Sequence, residues 1–355
     1  MTLLAVFERF CYAYCLLVST VCVQGTCTSL EKSYFRLTSA PDPSTVRPGP
    51  ILRKALDRLI NVIASGEVNY FYAQDQFKGL RQDCVIQAIR GGLAAEIYES
   101  HARAALEYGD VAEYNQCQGQ LRSLYADGVK SPHCAEAEFL AYRILYQSVH
   151  AHKGELVGLL HTLQQVGSPQ FSRNPYITHA LQVRHAIASH NYALFFKLYD
   201  SAPALGRALM DLAIRRLRFQ ALTYFVKSFK PTLSIAFISR VLGFMQSDRR
   251  KSIDKTTHKK KGHKEATPLP GCSSCVFEGK NRGRATLQDA MADCEVWLRE
   301  CGASIIDGGS SEALLDCKLS MGKLQLPEEK DAVAHGDANL DIQDFLKGFS
   351  NGEDF

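Results

Sequence analysis

Residues 93–128 read LAAEIYESHARAALEYGDVAEYNQCQGQLRSLYADG, and this stretch decides the fold class. On both sides of Gly109-Asp110, apolar residues recur every three or four positions, which is the spacing of amphipathic helices. Gly109 suits the position just after a helix end, and Asp110 is a good N-cap for the helix that follows. The stretch therefore predicts two helices of about four turns each, joined as an antiparallel hairpin.

Similar helical patterns extend in both directions from this hairpin and stop at glycine or proline. They cover residues 51–66, 70–90, 134–152, 155–166, 175–189 and 192–199. No fixed sequence period of 33 or 34 residues appears, yet the segment lengths fit a stack of helix pairs. Strand patterns are nearly absent before residue 300. We predict a mainly α fold with helical repeats over residues 51–204.

A second, smaller domain is predicted over residues 205–322. It opens with two helical patterns, at 204–229 and 232–244, and a third helix follows at 287–302. Two short apolar runs around Gly308-Gly309 then indicate a β-hairpin. Helix, helix, helix and hairpin is the order of a winged helix, and we predict that module here.

Proline and charge mark the segments outside the helices. Four prolines within residues 41–50 suit neither a helix interior nor a central strand, so residues 23–50 are predicted to form an extended strap along a surface. Residues 247–285 have almost no apolar content and are predicted to be a disordered insertion. Residues 323–355 form an acidic tail, and residues 1–22 an atypical apolar head.

The net charge of +4 is mild but uneven. Residues 249–264 carry eight Lys or Arg against one Asp, and the remainder is slightly acidic, so the overall charge says little about partners. The twelve cysteines are too scattered for a disulfide scaffold. Cys84, Cys117 and Cys134 lie in helical patterns and are interpreted as buried free thiols.

Five blocks carry a resemblance to a known family. They are GTCTSLEKSYFRLTSAPDPSTVRP (25–48), LRQDCVIQAI (80–89), YESHARAALEYGDVAEYNQCQGQLRSLY (98–125), HALQVRHAIASHNYALFFKLY (179–199) and PEEKDAVAHGDANLDIQDF (327–345). Through these blocks the chain resembles the SAC-three/GANP family of PCI proteins, in its plant "protein A" branch. The resemblance covers roughly residues 25–348 and is interrupted by the basic insertion.

The resemblance implies a right-handed helical-repeat array of the tetratricopeptide type, closed by a winged helix, which together make a PCI domain. It further implies a non-enzymatic nuclear scaffold in transcription-coupled messenger RNA processing and export, in a complex like transcription-export-two. The implied partners are a second PCI-domain subunit and a small acidic, DSS-one-like protein. The alternative is a PCI subunit of a proteasome-lid, signalosome or translation-initiation-like complex.

The apolar head, RFCYAYCLLVSTVCV at residues 9–23, is similar to the core of a signal peptide. Glu8 dilutes the positive charge that should precede such a core, and the apolar run is too short for a convincing membrane span. Cleavage after Gly25 would also fall inside a family block. We therefore expect a nuclear protein without membrane contact. The secretory pathway is the alternative if the head is a genuine signal peptide.

Motifs of the common enzyme classes do not appear: the chain has no Walker loop, G-x-S-x-G or H-E-x-x-H. We expect no catalysis and no cofactor. His101 is interpreted as a structural histidine with satisfied hydrogen bonds. Cys272 and Cys275, preceded by His258 and His263, offer the ligand types of a zinc site, but their spacing matches no standard finger. They are weak candidates, and no metal is predicted.

Nucleic-acid binding is the functional hypothesis with the most physical content. Six cations form the predicted rim on the winged helix: Arg215, Arg216, Arg218, Lys227, Lys230 and Arg240. Such a rim would bind phosphates of RNA or single-stranded nucleic acid with little sequence preference. The helix at 287–302 carries too many acidic residues to read bases in a major groove. The alternative is a set of solvated charges beside an apolar stripe.

A second basic segment lies within the insertion. It consists of Arg249, Arg250, Lys251, Lys259, Lys260 and Lys261. We interpret it as a flexible arm for nuclear import or RNA tethering, and a solvated loop is the alternative. The acidic tail is interpreted as a docking peptide, with a disordered end as the alternative.

Overall fold

The computed structural model describes residues 23–150, 153–166, 174–245 and 286–327. Within these ranges the chain is mainly helical, as the sequence predicts. The described residues divide into two compact units, the first ending at Phe139 and the second beginning at Leu140. None of the described helices combines the length and the hydropathy that a membrane crossing requires.

The helices are, in chain order, α1 (Gly49–Ser65), α2 (Tyr70–Ile86), α3 (Gly92–Tyr108), α4 (Val111–Ala126), α5 (Glu136–Val149), α6 (Lys153–Val166), α7 (Pro175–Ala188), α8 (Tyr192–Asp200), α9 (Gly206–Ser228), α10 (Ile235–Val241), α11 (Leu287–Glu300) and α12 (Cys317–Ser320). The strands are β1 (Thr232–Ser234), β2 (Ser304–Ile306) and β3 (Leu314–Asp316). A short 3-10 turn, Pro43–Thr45, lies in the strap.

The hairpin predicted from residues 93–128 is confirmed by α3 and α4, which pack extensively against each other. Gly109 ends α3 in the left-handed conformation, with a φ of 79°. The Asp110 carboxylate then accepts a hydrogen bond from the Glu113 amide at 2.9 Å and caps α4. Local chemistry at two residues therefore sets this chain reversal.

Helix α3 is the centre of the first unit, because every residue from Ala94 to Leu106 is buried. Its alanines let neighbouring helices approach closely. Its charged residues have partners on those neighbours: Glu96 binds Arg53 at 2.6 Å, and Arg103 binds Glu138 at 2.7 Å. Buried charges are tolerated only when paired in this way.

The strap doubles back on itself before it reaches α1. The amides of Thr26 and Cys27 donate to the carbonyls of Pro43 and Val46, both at 2.9 Å. Gly25 is needed where the two arms meet, because a Cβ there would lie 2.1 Å from the Val46 carbonyl oxygen. The backbone of the strap is extended at Asp42, Val46 and Pro48, and it is paired where the two arms meet.

Helix α2 receives the strap along one face. At Gly79 the contact is so close that a Cβ would lie 2.8 Å from the Lys32 carbonyl oxygen. On either side, Gln76 accepts from the Lys32 amide at 3.1 Å, and Gln82 donates to the Phe35 carbonyl at 2.7 Å. Side chains of α2 therefore satisfy backbone groups that an extended segment cannot satisfy internally.

Asp83 of α2 forms ion pairs with both arms of the strap, the first arm through Lys32 and the second through Arg47. Its fully buried carboxylate accepts from Lys32 Nζ and from Arg47 Nε, each at 2.6 Å. Arg47 is also fully buried, and its Nη1 donates to the Leu30 carbonyl at 3.3 Å. One carboxylate therefore bridges two cations that are fifteen residues apart in the sequence.

The second unit contains a small sheet in which β3 is central, in the order β1-β3-β2, and both pairings are antiparallel. Asp316 lies opposite Thr232 on one side and opposite Ser304 on the other. Leu315 points into the core and is fully buried. The predicted hairpin around Gly308-Gly309 is confirmed as β2 and β3.

Two sequence expectations about local structure are wrong. The chain from Thr232 to Ser234 forms β1, whereas only a helix is expected there, because a three-residue strand carries no periodicity to recognise. Cys134 is exposed and lies before α5 rather than inside a helix, with a φ of 48°. Cys84 and Cys117 are buried free thiols, as predicted.

The buried pair Arg47–Asp83 yields a stability prediction. Asp83→Asn keeps the shape of the side chain but leaves Arg47 buried without a counter-charge, so we expect the free energy of unfolding of the first unit to fall by about 3–5 kcal/mol. The matched control is Asp127→Asn, since Asp127 pairs with Arg90 at the surface, where both side chains are 46% exposed. That change should cost less than about 1 kcal/mol. Urea unfolding of both variants measures the difference, and equal losses would contradict the assignment.

Candidate nucleic-acid interface

The arginines of α9 do not all face solvent. Arg216 Nη2 donates to the carbonyl of Val149, the last residue of α5, at 2.6 Å. Arg218 donates through Nε to the Leu242 carbonyl at 2.9 Å and through Nη2 to the Gly243 carbonyl at 3.1 Å. Carbonyls at the C-terminal end of a helix lack partners within the helix, so these two guanidinium groups cap α5 and α10.

Arg218 is also held between aromatic rings. Its guanidinium carbon lies 3.9 Å from the ring centroid of Phe244 and 5.5 Å from that of Phe196. Arg207, in the first turn of α9, donates to the last two carbonyls of α8 at 3.2 and 3.1 Å. Three arginines of α9 therefore cap the ends of three other helices.

The remaining cations of the predicted rim are more accessible. Lys227 lies in the last turn of α9, Lys230 follows this helix, and Arg240 lies in the last turn of α10; all three are exposed. Arg215 is half-buried. The structure therefore places Arg216 and Arg218 at helix ends and leaves three cations facing solvent. Their binding to nucleic acid stays a prediction.

Three phenylalanine rings cluster in the same segment of the chain as these cations. The ring centroids of Phe225, Phe229 and Phe237 lie 5.9–6.2 Å apart. Phe229 is 40% exposed and Phe237 is 43% exposed. Tyr224, one residue before Phe225, is 50% exposed. Aromatic side chains with this exposure offer ring faces and edges to a ligand.

We define the basic-aromatic face by its five exposed residues: Lys227, Phe229, Lys230, Phe237 and Arg240. The segment that carries it, residues 206–241, contains seven Lys or Arg and one acidic residue. That residue, Asp211, accepts a hydrogen bond from the Tyr199 hydroxyl. Cations that bind phosphates beside aromatic rings that stack on bases are the usual chemistry of single-strand binding.

Sequence reasoning found the cations of this face but missed its aromatic residues. The signal is present in YFVKSFK, residues 224–230, where aromatic and basic residues interleave at the end of a helix. Helical spacing alone could not show which of these rings the core would bury.

The first unit holds a buried cluster of ionisable groups. Donor atoms of His101, Glu113 and Cys117 lie within 4.8 Å of one another, a separation compatible with a metal ion. Arg81, however, donates to Glu113 Oε1 at 2.5 Å and to Cys117 Sγ at 3.0 Å, and Lys78 lies 3.3 Å from Glu113. A metal ion would have to displace a guanidinium group and withstand repulsion by two cations. The geometry therefore favours a packing role for this cluster.

His101 differs in one respect from its predicted role. Its ring is fully buried and stacks on Phe77 with a centroid distance of 4.8 Å. Neither ring nitrogen has a hydrogen-bond partner among the described residues, so the expectation of satisfied hydrogen bonds is wrong. Burial, followed by the charges of Arg81 and Lys78, lowers the pKa of His101 well below its usual value. The imidazole is therefore neutral at physiological pH.

Several predicted residues lie outside the described ranges. They are the zinc candidates Cys272 and Cys275 and the basic arm formed by Arg249, Arg250, Lys251, Lys259, Lys260 and Lys261. Their roles stay predictions.

Together these features define a class: a mainly helical protein whose second unit carries a small sheet and a basic, aromatic surface. The model of the SAC3/GANP family matches residues 30–258, which is more than half of the chain. The chain belongs to the SAC3/GANP family, and the resemblance seen in its sequence blocks is confirmed.

Individual relatives agree with this membership. The chain is 39% identical over 324 residues to SAC3 family protein A of Arabidopsis thaliana, an alignment that covers 91% of this chain and 28% of that protein. It is 46% identical over 224 residues to a THP3 homolog of Schizosaccharomyces pombe, covering 63% of this chain and 55% of the relative. It is 31% identical over 236 residues to Protein THP3 of Saccharomyces cerevisiae, covering 66% and 48%. The chain thus spans between about a quarter and about half of these relatives.

Stability measurements can test whether Arg218 acts as a helix cap while Lys230 is an exposed cation without a structural role. Arg218→Met should lower the free energy of unfolding of the second unit by about 2 kcal/mol, because two carbonyls at the end of α10 lose a charged donor. The control is Lys230→Met, which removes an exposed cation and should change the value by less than about 0.5 kcal/mol. Chemical denaturation of both variants provides the measurement. Similar values for the two variants would show that Arg218 does not act as a cap.

His101 predicts a pH dependence of stability. Below its ordinary pKa of about 6.5 the unfolded chain takes up a proton that the folded chain excludes, so stability is full above that pH and falls as the pH decreases. His101→Phe keeps an aromatic ring and removes this titration. Between pH 6.5 and 5 the variant should lose less stability than the unchanged protein, by up to about 1.4 kcal/mol per pH unit. Parallel slopes of unfolding free energy against pH would contradict this.

Proposed function

We propose that this chain is a scaffold subunit of the PCI type that works in nuclear messenger RNA processing and export and contacts RNA or single-stranded nucleic acid through the basic-aromatic face. The observation that carries the proposal is membership of the SAC3/GANP family. The relatives named THP3 support the same assignment. Catalysis has no part in the proposal.

The order of elements in the second unit supports a winged helix. Helices α9, α10 and α11 supply its three helices, and β1 lies between the first two. The hairpin β2–β3 would be the wing, and β3 pairs with β1 to close a three-stranded sheet. Residues 242–286 separate α10 from α11, so the predicted insertion at 247–285 falls between two helices of one module. With the preceding helices, this module would complete the PCI domain.

The basic-aromatic face supports binding without sequence preference. Lys227, Lys230 and Arg240 would contact phosphates, and Phe229 and Phe237 would stack on bases. Helix α11 carries four acidic residues against Arg299, which disfavours readout of base edges by that helix. The proposed ligand is therefore single-stranded, and affinity should fall steeply with salt.

Two surfaces support the proposed protein partners, a second PCI subunit and a small acidic, DSS-one-like protein. Strands β1 and β2 are the edges of the sheet, and an edge is where a strand from a partner can add. Apolar side chains are also exposed beyond β3, at Leu319, Met321 and Leu326. An acidic partner would complement the positive charge of α9.

Four buried cysteines among the described residues are not activated as nucleophiles. Burial raises the pKa of Cys84, Cys117, Cys294 and Cys301 to about 12 in each case. These groups are thiols at neutral pH, and the thiol is a poor nucleophile.

The basic arm at Arg249–Lys261 would supply nuclear import, which agrees with the proposed location.

The proposal predicts a specific pattern of RNA binding. Lys230→Glu combined with Arg240→Glu should weaken binding of a single-stranded oligonucleotide by the full-length chain about tenfold or more at low salt, and should reduce the slope of log affinity against log salt. The matched control is Lys54→Glu with Arg122→Glu, which makes the same charge change at exposed positions of the first unit.

Fluorescence anisotropy across a salt series measures both quantities. An equal loss in the control pair would mean that only net charge matters. If the unchanged chain does not bind RNA until a second subunit is added, the face is not a binding site on its own and the chain is chiefly a scaffold.

A further inference from the structure

We propose that the acidic segment 328–355 of this chain docks on the basic-aromatic face and competes there with nucleic acid; the competition, though not the docking, rests on the proposed function. The occupant is a segment of the same chain. Three features support this docking: the chemistry of the face, the composition of the segment and the place where the described chain ends.

Within the described ranges, the three cations of the face have no counter-charge. Among the described residues of the second unit, the ion pairs are Arg207–Asp200 and Arg299–Glu295. No described carboxylate pairs with Lys227, Lys230 or Arg240. Exposed phenylalanines lie among these cations, so an occupant that matches the whole face must be acidic and must also carry apolar side chains.

The segment 328–355 has both properties. It contains eight Asp or Glu and two Lys. Within it, Ile342, Phe345, Leu346 and Phe349 have the spacing i, i+3, i+4 and i+7, which is typical of peptides that dock through one apolar stripe. Three aspartates lie within or just before this stripe: Asp337, Asp341 and Asp344. Charge and apolar groups are thus interleaved in the segment as they are on the face.

The sheet links the last described residues to the segment that carries the face. Ser304, Asp316 and Thr232 lie side by side on three neighbouring strands, so Thr232 and Ser304 are about 10 Å apart. Lys230 is two residues before Thr232. Near the end of the described chain, the Gln325 amide donates to the Cys301 carbonyl at 3.0 Å, three residues before Ser304.

The tether is long enough for docking and short enough to favour it. A random coil of 14 residues, the number from Pro327 to Asp341, would have a root-mean-square span of about 20 Å. A tether matched to its span gives an effective concentration on the order of 1 mM. A peptide with an intrinsic Kd on the order of 0.1 mM would then occupy the face about nine-tenths of the time and weaken RNA binding about tenfold.

The test uses the full-length chain with an altered segment, in which Asp337, Asp341 and Asp344 become Asn and Phe345 and Phe349 become Ala. We expect this segment variant to bind a single-stranded oligonucleotide of about 20 nucleotides roughly tenfold more tightly than the unchanged chain at about 50 mM salt. The matched control keeps the composition and net charge of residues 337–349 but shuffles their order. It should bind RNA almost as tightly as the segment variant. If the shuffled segment inhibits RNA binding as strongly as the natural segment does, net charge alone repels RNA. That result would overturn the proposal.

A second measurement needs no RNA. A fluorescent peptide of residues 328–355 is titrated into the segment variant, and we expect saturable binding that is lost when Lys230→Glu and Arg240→Glu are added. If the peptide binds but RNA does not, docking stands and the nucleic-acid function fails. A third result is that RNA binds the segment variant and the unchanged chain with the same affinity, while the peptide does not bind. In that case docking fails and the proposed function stands.

Occupation of the face by the segment of a second copy is the remaining outcome. The gain in affinity of the segment variant over the unchanged chain would then shrink as the chain is diluted, and sedimentation would show a dimer that the segment variant does not form. That result would overturn docking within one chain.

Discussion

The contact between Asp83 and the two arms of the strap is the constraint on which the first unit depends. The strap pairs only part of its own backbone, and Tyr34, Phe35 and Leu37 stay exposed, so apolar burial does little to hold it in place. One buried carboxylate binds Lys32 and Arg47 at once, so it fixes both arms against α2. Because a buried ion pair stabilises only while it is complete, the strap, α2 and the start of α1 hold or fail together.

The second unit uses cations in two ways, and the difference follows from geometry rather than from residue type. Arg207, Arg216 and Arg218 reach carbonyls at the ends of α8, α5 and α10, where a guanidinium group replaces missing hydrogen bonds. Lys227 and Lys230 find no such partner among the described residues and extend into solvent beside exposed phenylalanines. The structural cations hold the helices in place, and the exposed ones give the unit its surface charge.

Sequence reasoning succeeded where local chemistry is decisive. Gly109 and Asp110 set the end of one helix and the start of the next without help from distant residues, and the family blocks identified the family. Sequence reasoning failed where a contact between residues distant in the sequence decides the local structure. Helical spacing shows that Arg215 and Arg218 share a face of α9, but it cannot show that the end of α10 lies against Arg218. The strand β1 is too short to have a pattern, and the buried, unpartnered ring of His101 follows from the packing of Phe77 and α3 rather than from its own sequence context.

The most direct test of this account is amide hydrogen exchange of the strap in the unchanged protein. The amides of Thr26 and Cys27 donate within the strap, and the whole segment is fixed to α2 through Asp83. The account predicts that these amides exchange as slowly as those in the middle of α2, since the two open only together. Exchange of the strap at the rate of an unstructured peptide, while α2 stays protected, would show that the strap is not part of the folded unit.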